Sequence, residues 1–223
     1  AGFGVDTVSD SDGTTDIVRF GAGISSRGIA ASRSGMDLLL TGGSNQVRVQ
    51  NWNGSDANKI ERVEFADGTV WTAAMLRAMT DLAPTVANPV ADQSVTEEVA
   101  FSFTVPASAF ADADAVIGDT LSYSASLASG AALPAWLSFD AATRTFTGTP
   151  PNPDGAPVSV RVTATDAVVA SASDVFNLNI ANTNDAPTNI ALSANTVAEN
   201  AANATIGTLS TTDQDVGDTF TYS

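Results

Sequence analysis

The stretch Gly118-Asp119-Thr120-Leu121-Ser122-Tyr123-Ser124 returns as Gly217-Asp218-Thr219-Phe220-Thr221-Tyr222-Ser223, 99 residues further on. Three more echoes keep nearly the same interval. Val95-Thr96-Glu97-Glu98 returns as Val197-Ala198-Glu199-Asn200, Ala83-Pro84-Thr85 as Ala186-Pro187-Thr188, and Asp112-Ala113-Asp114 as Asp213-Gln214-Asp215. A chain that repeats itself about every 100 residues is built from units of that size, so the fold must be one that closes on itself within such a unit. One full copy runs from about 84 to 186, and a second opens at about 187. The expected division is therefore 1–82, 83–186 and 187–223.

The full copy alternates. Val99, Phe101, Phe103 and Val105 fall on every second position, as do Leu121, Tyr123 and Ala125. So do Val158, Val160, Val162 and Ala164, and then Phe176, Leu178 and Ile180. A period of two means strands with one face buried and one face wet. With Gln93–Thr96, Trp136–Phe139 and Arg144–Gly148 the count reaches about seven strands, which suggests an Ig-like sandwich. Phe101, Phe103, Trp136, Phe139, Phe146 and Phe176 form its expected core.

Residues 1–80 read differently. Met36–Leu40, Gln46–Gln50 and Ile60–Phe65 are expected strands, and Ala66-Asp67-Gly68-Thr69 is a turn signal. Thr72–Met79 is the one expected helix, with Thr72 as its cap and Ala73, Leu76 and Met79 on the inner side.

Composition excludes several chemistries. There is no Cys and no His, so there is no disulfide, no thiol nucleophile and no imidazole base. Zinc favours those same ligands. Of 25 acids and 9 bases, residues 1–80 hold 9 and 7, which leaves 16 acids against 2 bases in 81–223. Such a field repels phosphates, so no nucleic-acid partner is expected. No paired carboxylates with glycosidase spacing, no phosphate loop and no nucleophile elbow occur, so no catalysis is expected. The apolar runs fall well short of about 18 residues, so no membrane insertion is expected of this segment. The chain begins at Ala1 and ends inside a strand pattern at Ser223, as a piece of a longer protein would.

The acids are not scattered. Asp112, Asp114 and Asp119 fall between two strands, Asp166 closes a third, Glu97 and Glu98 share a turn, and Asn182, Asn184 and Asp185 precede the second copy. Calcium takes six to eight oxygens from carboxylates, amides and carbonyls, and an Asp-x-Asp turn can aim two carboxylates at one ion. Carboxylates that close repel one another without a cation between them.

Residues 84–186 resemble a dystroglycan-type cadherin-like domain of bacterial surface proteins. The resemblance lies in Asp112-Ala113-Asp114, Gly118-Asp119-Thr120-Leu121-Ser122-Tyr123, Leu133-Pro134-Ala135-Trp136-Leu137-Ser138-Phe139-Asp140 and Thr145-Phe146-Thr147-Gly148-Thr149-Pro150. It continues through Val162-Thr163-Ala164-Thr165-Asp166 and Asn182-Thr183-Asn184-Asp185-Ala186-Pro187. Residues 187–223 resemble the opening of another such repeat. The resemblance implies calcium where successive domains meet. One set of ligands would be Glu97 or Glu98, Asn182, Asn184, Asp185, Asp213 and Asp215. The other would be Asp81, Asp112, Asp114 and Asp166, with Leu82 standing where the linker Asp is usual and weakening that site.

The opening segment resembles the end of an RTX array followed by a haemolysin-type calcium-binding-related domain. Gly2-Phe3-Gly4-Val5-Asp6-Thr7-Val8 fits one nonapeptide repeat, which implies Asp6 as a calcium ligand; Asp10, Asp12 and Asp16 read as polar turn residues. Asp37-Leu38-Leu39-Leu40, Val49-Gln50-Asn51-Trp52, Ile60-Glu61-Arg62-Val63-Glu64-Phe65 and Ala66-Asp67-Gly68-Thr69-Val70-Trp71 carry the rest.

The expected fold is all-β, an Ig/cadherin-like β-sandwich preceded by a small RTX-related β domain with one short helix. The resemblances imply a calcium-binding, adhesive stalk segment of a secreted or surface-anchored bacterial protein, outside the cell. Its partners would be the neighbouring domains of its own chain and a cell-surface glycan or protein, or another copy of itself. A polysaccharide-binding module on a secreted hydrolase is the alternative, with Trp52 and Trp71 as its exposed aromatics, although Trp71 adjoins the helix and reads as buried. Calcium-dependent homophilic association is another.

Overall fold

In the computed structural model, residues 2–11, 15–54, 56–152, 156–200, 202–215 and 217–223 are described. They gather into two compact units. The first comprises Ala1–Thr85, Ala111–Leu121 and Thr165–Ala172; the second comprises Val86–Phe110, Ser122–Ala164 and Ser173–Ser223.

In the first unit, β1 (Val5–Val8), β2 (Ile17–Phe20), β3 (Ala30–Ser34), β4 (Asp37–Gly42), β5 (Asn45–Val49), β6 (Arg62–Phe65) and β7 (Val70–Thr72) lead into helix α1 (Ala73–Thr80). One sheet runs β1-β5-β4-β3 and another β2-β6-β7. Strand alternation places Leu38 and Leu40 of β4 and Val63 of β6 fully inside, where they meet Trp52, Ile60 and Leu76. Phe65 stacks on Phe20 and meets Trp71 edge-on. The turn between β6 and β7 needs a left-handed residue, and Gly68 supplies it at φ 86°. Thr72 caps α1 by accepting from Met75 N at 3.3 Å. The inner side of α1 carries Leu76 and Thr80, four residues apart; Met79, expected there, is exposed, because the inward stripe continues from Leu76 through the i+4 position rather than the i+3 position.

The next strands are β8 (Thr85–Val86), β9 (Gln93–Thr96), β10 (Phe101–Thr104), β11 (Phe110–Ala111), β12 (Ser122–Leu127), β13 (Leu137–Asp140), β14 (Thr145–Gly148), β15 (Val158–Thr165) and β16 (Ser171–Ala181). β10-β14-β13 form one sheet and β12-β15-β16-β9 the other, with β9 parallel to β16; short β8 and β11 form a two-stranded pair of their own. These seven longer strands make the expected sandwich. Its core shows in the rings: Phe103 of β10 and Phe146 of β14 meet Phe176 of β16 edge-on at 5.6 and 5.7 Å. Val160, Val162 and Ala164 are fully buried on alternate positions of β15. Trp136 departs from expectation. It is only half-buried and leans against Phe101, while Leu137, the first residue of β13, takes the inward place. After these, β17 (Asn189–Leu192) and β18 (Leu209–Thr212) pair antiparallel.

Asp37 ties the β4–β5 hairpin. Its carboxylate accepts from Asn51 N at 2.7 Å and pairs with Arg48. The Asn51 amide, and next the Arg48 guanidinium, hold its carboxyl below the ordinary 3.8 against the opposing effect of burial. A lowered folded value means that this stabilisation is fully present above pH 3.8 and is lost as pH falls through the folded value. Asp37→Asn is therefore expected to flatten the acid limb of stability measured by urea unfolding between roughly pH 2 and pH 5, at a cost of about 1–2 kcal/mol at neutral pH.

Candidate metal centres

The first cluster forms where α1 ends. Asp81 is the residue after the helix, in extended conformation. Asp112 caps a short turn of 3-10 helix over Ala113–Ile117, accepting from Asp114 N at 2.7 Å. That turn closes on Gly118, left-handed at φ 86°, which turns the chain so that Asp119 follows beside Asp114. Asp166 closes β15, its Oδ1 accepting from Val168 N and Ala170 N at 3.0 and 2.8 Å. One carboxylate oxygen from each of Asp81, Asp114 and Asp119 lies within 4.8 Å of the others. Asp114, Asp119 and Asp166 are all buried. Burial first, and then the charges of Asp166, Asp114, Asp119 and Asp112, push the Asp81 carboxyl up to about 6.

Backbone amides orient these groups. Leu82 N donates to Asp114 Oδ2 at 3.0 Å, and Ala167 N to Asp119 Oδ1 at 3.1 Å. Two guanidiniums also reach in: Arg33 forms an ion pair with Asp114, and Arg77 lies 3.4 Å from Asp119.

The second cluster repeats the design in the second unit. Glu97 follows β9 and is 1% exposed. Its Oε1 accepts from Thr183 N and, at 3.3 Å, from Thr183 Oγ1. One oxygen from each of Glu97, Asp185 and Asp215 lies within 4.8 Å of the others. Asp213 and Asp218 form a further such set with Asp215. Asp215 accepts from Asp185 N and, at 2.9 Å, from Asn182 Nδ2, while its own amide donates to Asp213 Oδ1 at 2.9 Å. Burial first, then Asp215, Glu97 and Asp213, raise the Asp185 carboxyl, against a hydrogen bond from Asn152. No basic side chain pairs with this cluster among the described residues.

Both clusters suit a hard cation. Two oxygens held at 2.3–2.6 Å from one calcium lie at most about 5 Å apart, and each trio meets that limit. Buried oxygens without a hydrogen-bond donor point the same way: Asp112 Oδ2 and Asp166 Oδ2 in the first cluster, Glu97 Oε2 and Asp213 Oδ2 in the second. A buried carboxylate oxygen left without a donor is costly, and a cation satisfies it.

Most residues expected as ligands from sequence meet in these two places. Of the pair Glu97 and Glu98, Glu97 points in; Glu98 is exposed, with a left-handed backbone. Asn182 sits at the second cluster, and Asn184 is exposed with its amide on Asp185 O. Asp6 lies apart, exposed on β1 and paired in register with Val47. Asp12 lies outside the described residues. Arg33, Arg77, Asn152 and Asp218 had no place in the sequence reading. Asp218 alone carried a signal, since it repeats Asp119.

Residues 83–181 match the family model "Putative Ig domain", and residues 38–75 match "Haemolysin-type calcium binding protein related domain". Residues 83–181 are thus similar to an Ig-like domain and residues 38–75 to a haemolysin-type calcium-binding-related domain. Among solved structures, protocadherin gamma B2 cadherin domains 1–5 are 16% identical, with a TM-score of 0.47, over 81% of this chain and 32% of that one. Protocadherin gamma B7 cadherin domains 1–4 are 17% identical, with a TM-score of 0.45, over 81% of this chain and 40% of that one. A nucleoside hydrolase-related protein of Saccharophagus degradans, associated with carbohydrate metabolism, is 20% identical, with a TM-score of 0.35, over 47% of this chain and 27% of that one. The chain spans less than half the length of each. No curated protein matches it significantly. Among the described residues no helix is long and apolar enough to cross a membrane.

Proposed function

We propose that this chain is a calcium-binding structural module of a secreted or surface-anchored bacterial adhesin. In this reading an RTX-related segment leads into dystroglycan-type cadherin-like repeats, and calcium stiffens the chain where one repeat gives way to the next. The second cluster carries the argument. Glu97, Asp185 and Asp215 converge, Asp213 adjoins Asp215, none has a basic partner among the described residues, and Glu97 Oε2 is buried without a donor. After Arg161 the chain has no Lys or Arg at all, so this stretch cannot neutralise its own charge. Glu97 precedes the sandwich's second sheet strand, Asp185 follows its last strand, and Asp215 belongs to the next repeat. A cation held by all three would fix the repeat-to-repeat passage. The role is mechanical, with the adhesion target lying elsewhere on the parent protein or on another copy.

Melting curves in calcium, magnesium and chelator test this. Calcium at 100 times its dissociation constant adds about 2.7 kcal/mol to the state that binds it, which is a rise of roughly 5–20 °C for units of this size. The rise is expected with calcium and not magnesium, and the double change Asp213→Asn, Asp215→Asn is expected to abolish it. No shift at millimolar calcium would overturn the reading.

A further inference from the structure

The two clusters share a carboxylate pattern but not a counter-ion. In the trio Asp81, Asp114 and Asp119, two of three carboxylates face guanidiniums of the same unit. Arg33 and Asp114 meet as an ion pair with side chains only 10% and 3% exposed. Arg77 reaches Asp119, whose side chain is 1% exposed, from the last turn of α1. The trio Glu97, Asp185 and Asp215 has no such partner among the described residues. Of the two bases in 81–223, Arg144 lies over the Tyr123 ring with Nε on Val105 O, and Arg161 donates to Ala128 O.

We propose that Arg33 is the built-in cation of the first cluster: its guanidinium holds Asp114 where a divalent ion would, so that the first cluster closes without calcium. Arg33 is delivered by β3, whose exposure alternates so that Ala31 and Arg33 turn inward while Ala30, Ser32 and Ser34 face out. In register it sits opposite Leu38 of β4, which is fully buried, so the guanidinium is anchored in the unit's core rather than trailing in solvent. A calcium ion binding Asp114 at 2.3–2.6 Å would lie against that guanidinium in a buried setting, where like charges repel most. The two cations exclude each other. Removal of Arg33 would leave Asp81, Asp114 and Asp119 converging, with Asp166 Oδ2 and Asp112 Oδ2 still buried and without donors. Those groups amount to a calcium site of the same make as the second.

The contrast rests on the reading of the second cluster as a calcium site; the assignment of Arg33 does not. The test counts calcium equivalents by calorimetry in the wild type, in Arg33→Met and in Arg33→Met with Asp114→Asn. Methionine keeps the unbranched stem and removes the charge. Arg33→Met is expected to bind one equivalent more than the wild type, and the double variant to lose it. A folded Arg33→Met that gains no equivalent overturns the proposal. Should Arg33→Met fail to fold, Asp114→Asn in the wild-type background decides. A buried Arg33 left unpaired lowers the melting temperature by roughly 10 °C equally in calcium and in chelator. A loss confined to calcium would make Asp114 a metal ligand and overturn the proposal. A wild type that binds no calcium, beside an Arg33→Met that binds one, would sink the proposed function and uphold this assignment.

Discussion

Glu97→Gln is expected to raise the melting temperature in chelator and to lower it in calcium. The substitution keeps Oε1, which accepts both hydrogen bonds from Thr183. It replaces Oε2, buried without a donor, by a neutral amide, in a side chain that has an oxygen within 4.8 Å of one from each of Asp185 and Asp215. In chelator the change removes one of four carboxylates with no basic partner among the described residues, and the relief of repulsion is worth about 1–3 kcal/mol at the effective dielectric of such sites. In calcium the same change removes a charged ligand, and affinity falls on the order of ten-fold or more, each factor of ten costing about 1.4 kcal/mol. The two effects have opposite sign, so the gap between the two melting temperatures should close from both ends. A fall under both conditions would make Glu97 a packing residue. No change under either would make the cluster solvated surface charge.

That crossover separates calcium from simple structure because the acids of this chain were legible as a repeat before they were legible as a site. Asp112, Asp114 and Asp119 return as Asp213, Asp215 and Asp218, and this recurrence, with their place on turns, marked all of them but Asp218 as candidate ligands. The sandwich was legible for a similar reason. Val160, Val162 and Ala164 alternate in sequence, and all three are fully buried in β15. β1, β2 and β3 were not legible. They are short and carry Asp, Arg and Ser, and β1 and β2 find their partners in parallel with β5 and β6, more than 35 residues away. Their existence depends on those partners rather than on local pattern. Missing β3 also hid Arg33. Within Ala30-Ala31-Ser32-Arg33-Ser34 no apolar alternation marks which side faces in, so nothing in the sequence says that this arginine points at an aspartate some 80 residues later. Asn152 was hidden likewise, since it joins the second cluster from a loop.

Trp52→Ala is expected to unfold the first unit rather than to remove a ligand surface. An aromatic that binds polysaccharide must show a face to solvent, and Trp52 is 1% exposed while Trp71 is 7% exposed. Trp52 instead packs among Leu38, Leu40, Ile60 and Leu76, and its Nε1 donates to Ile60 O at 3.1 Å. Truncation to alanine leaves a cavity worth about 3–5 kcal/mol and strands a buried carbonyl at a further cost of about 1–3 kcal/mol. Domains of this size have about 5–15 kcal/mol in all, so most of the unit's stability goes with one side chain. Trp52→Phe keeps a ring in place and loses mainly the hydrogen bond, and a drop of about 1–2 kcal/mol is expected for it. Urea unfolding of the three proteins, beside a pull-down on insoluble polysaccharide, separates the two roles. A folded Trp52→Ala of near wild-type stability that had lost polysaccharide binding would return the glycan reading to the front. The ordering Ala well below Phe, and Phe slightly below Trp, with no polysaccharide retained by any of the three, is what a core residue requires.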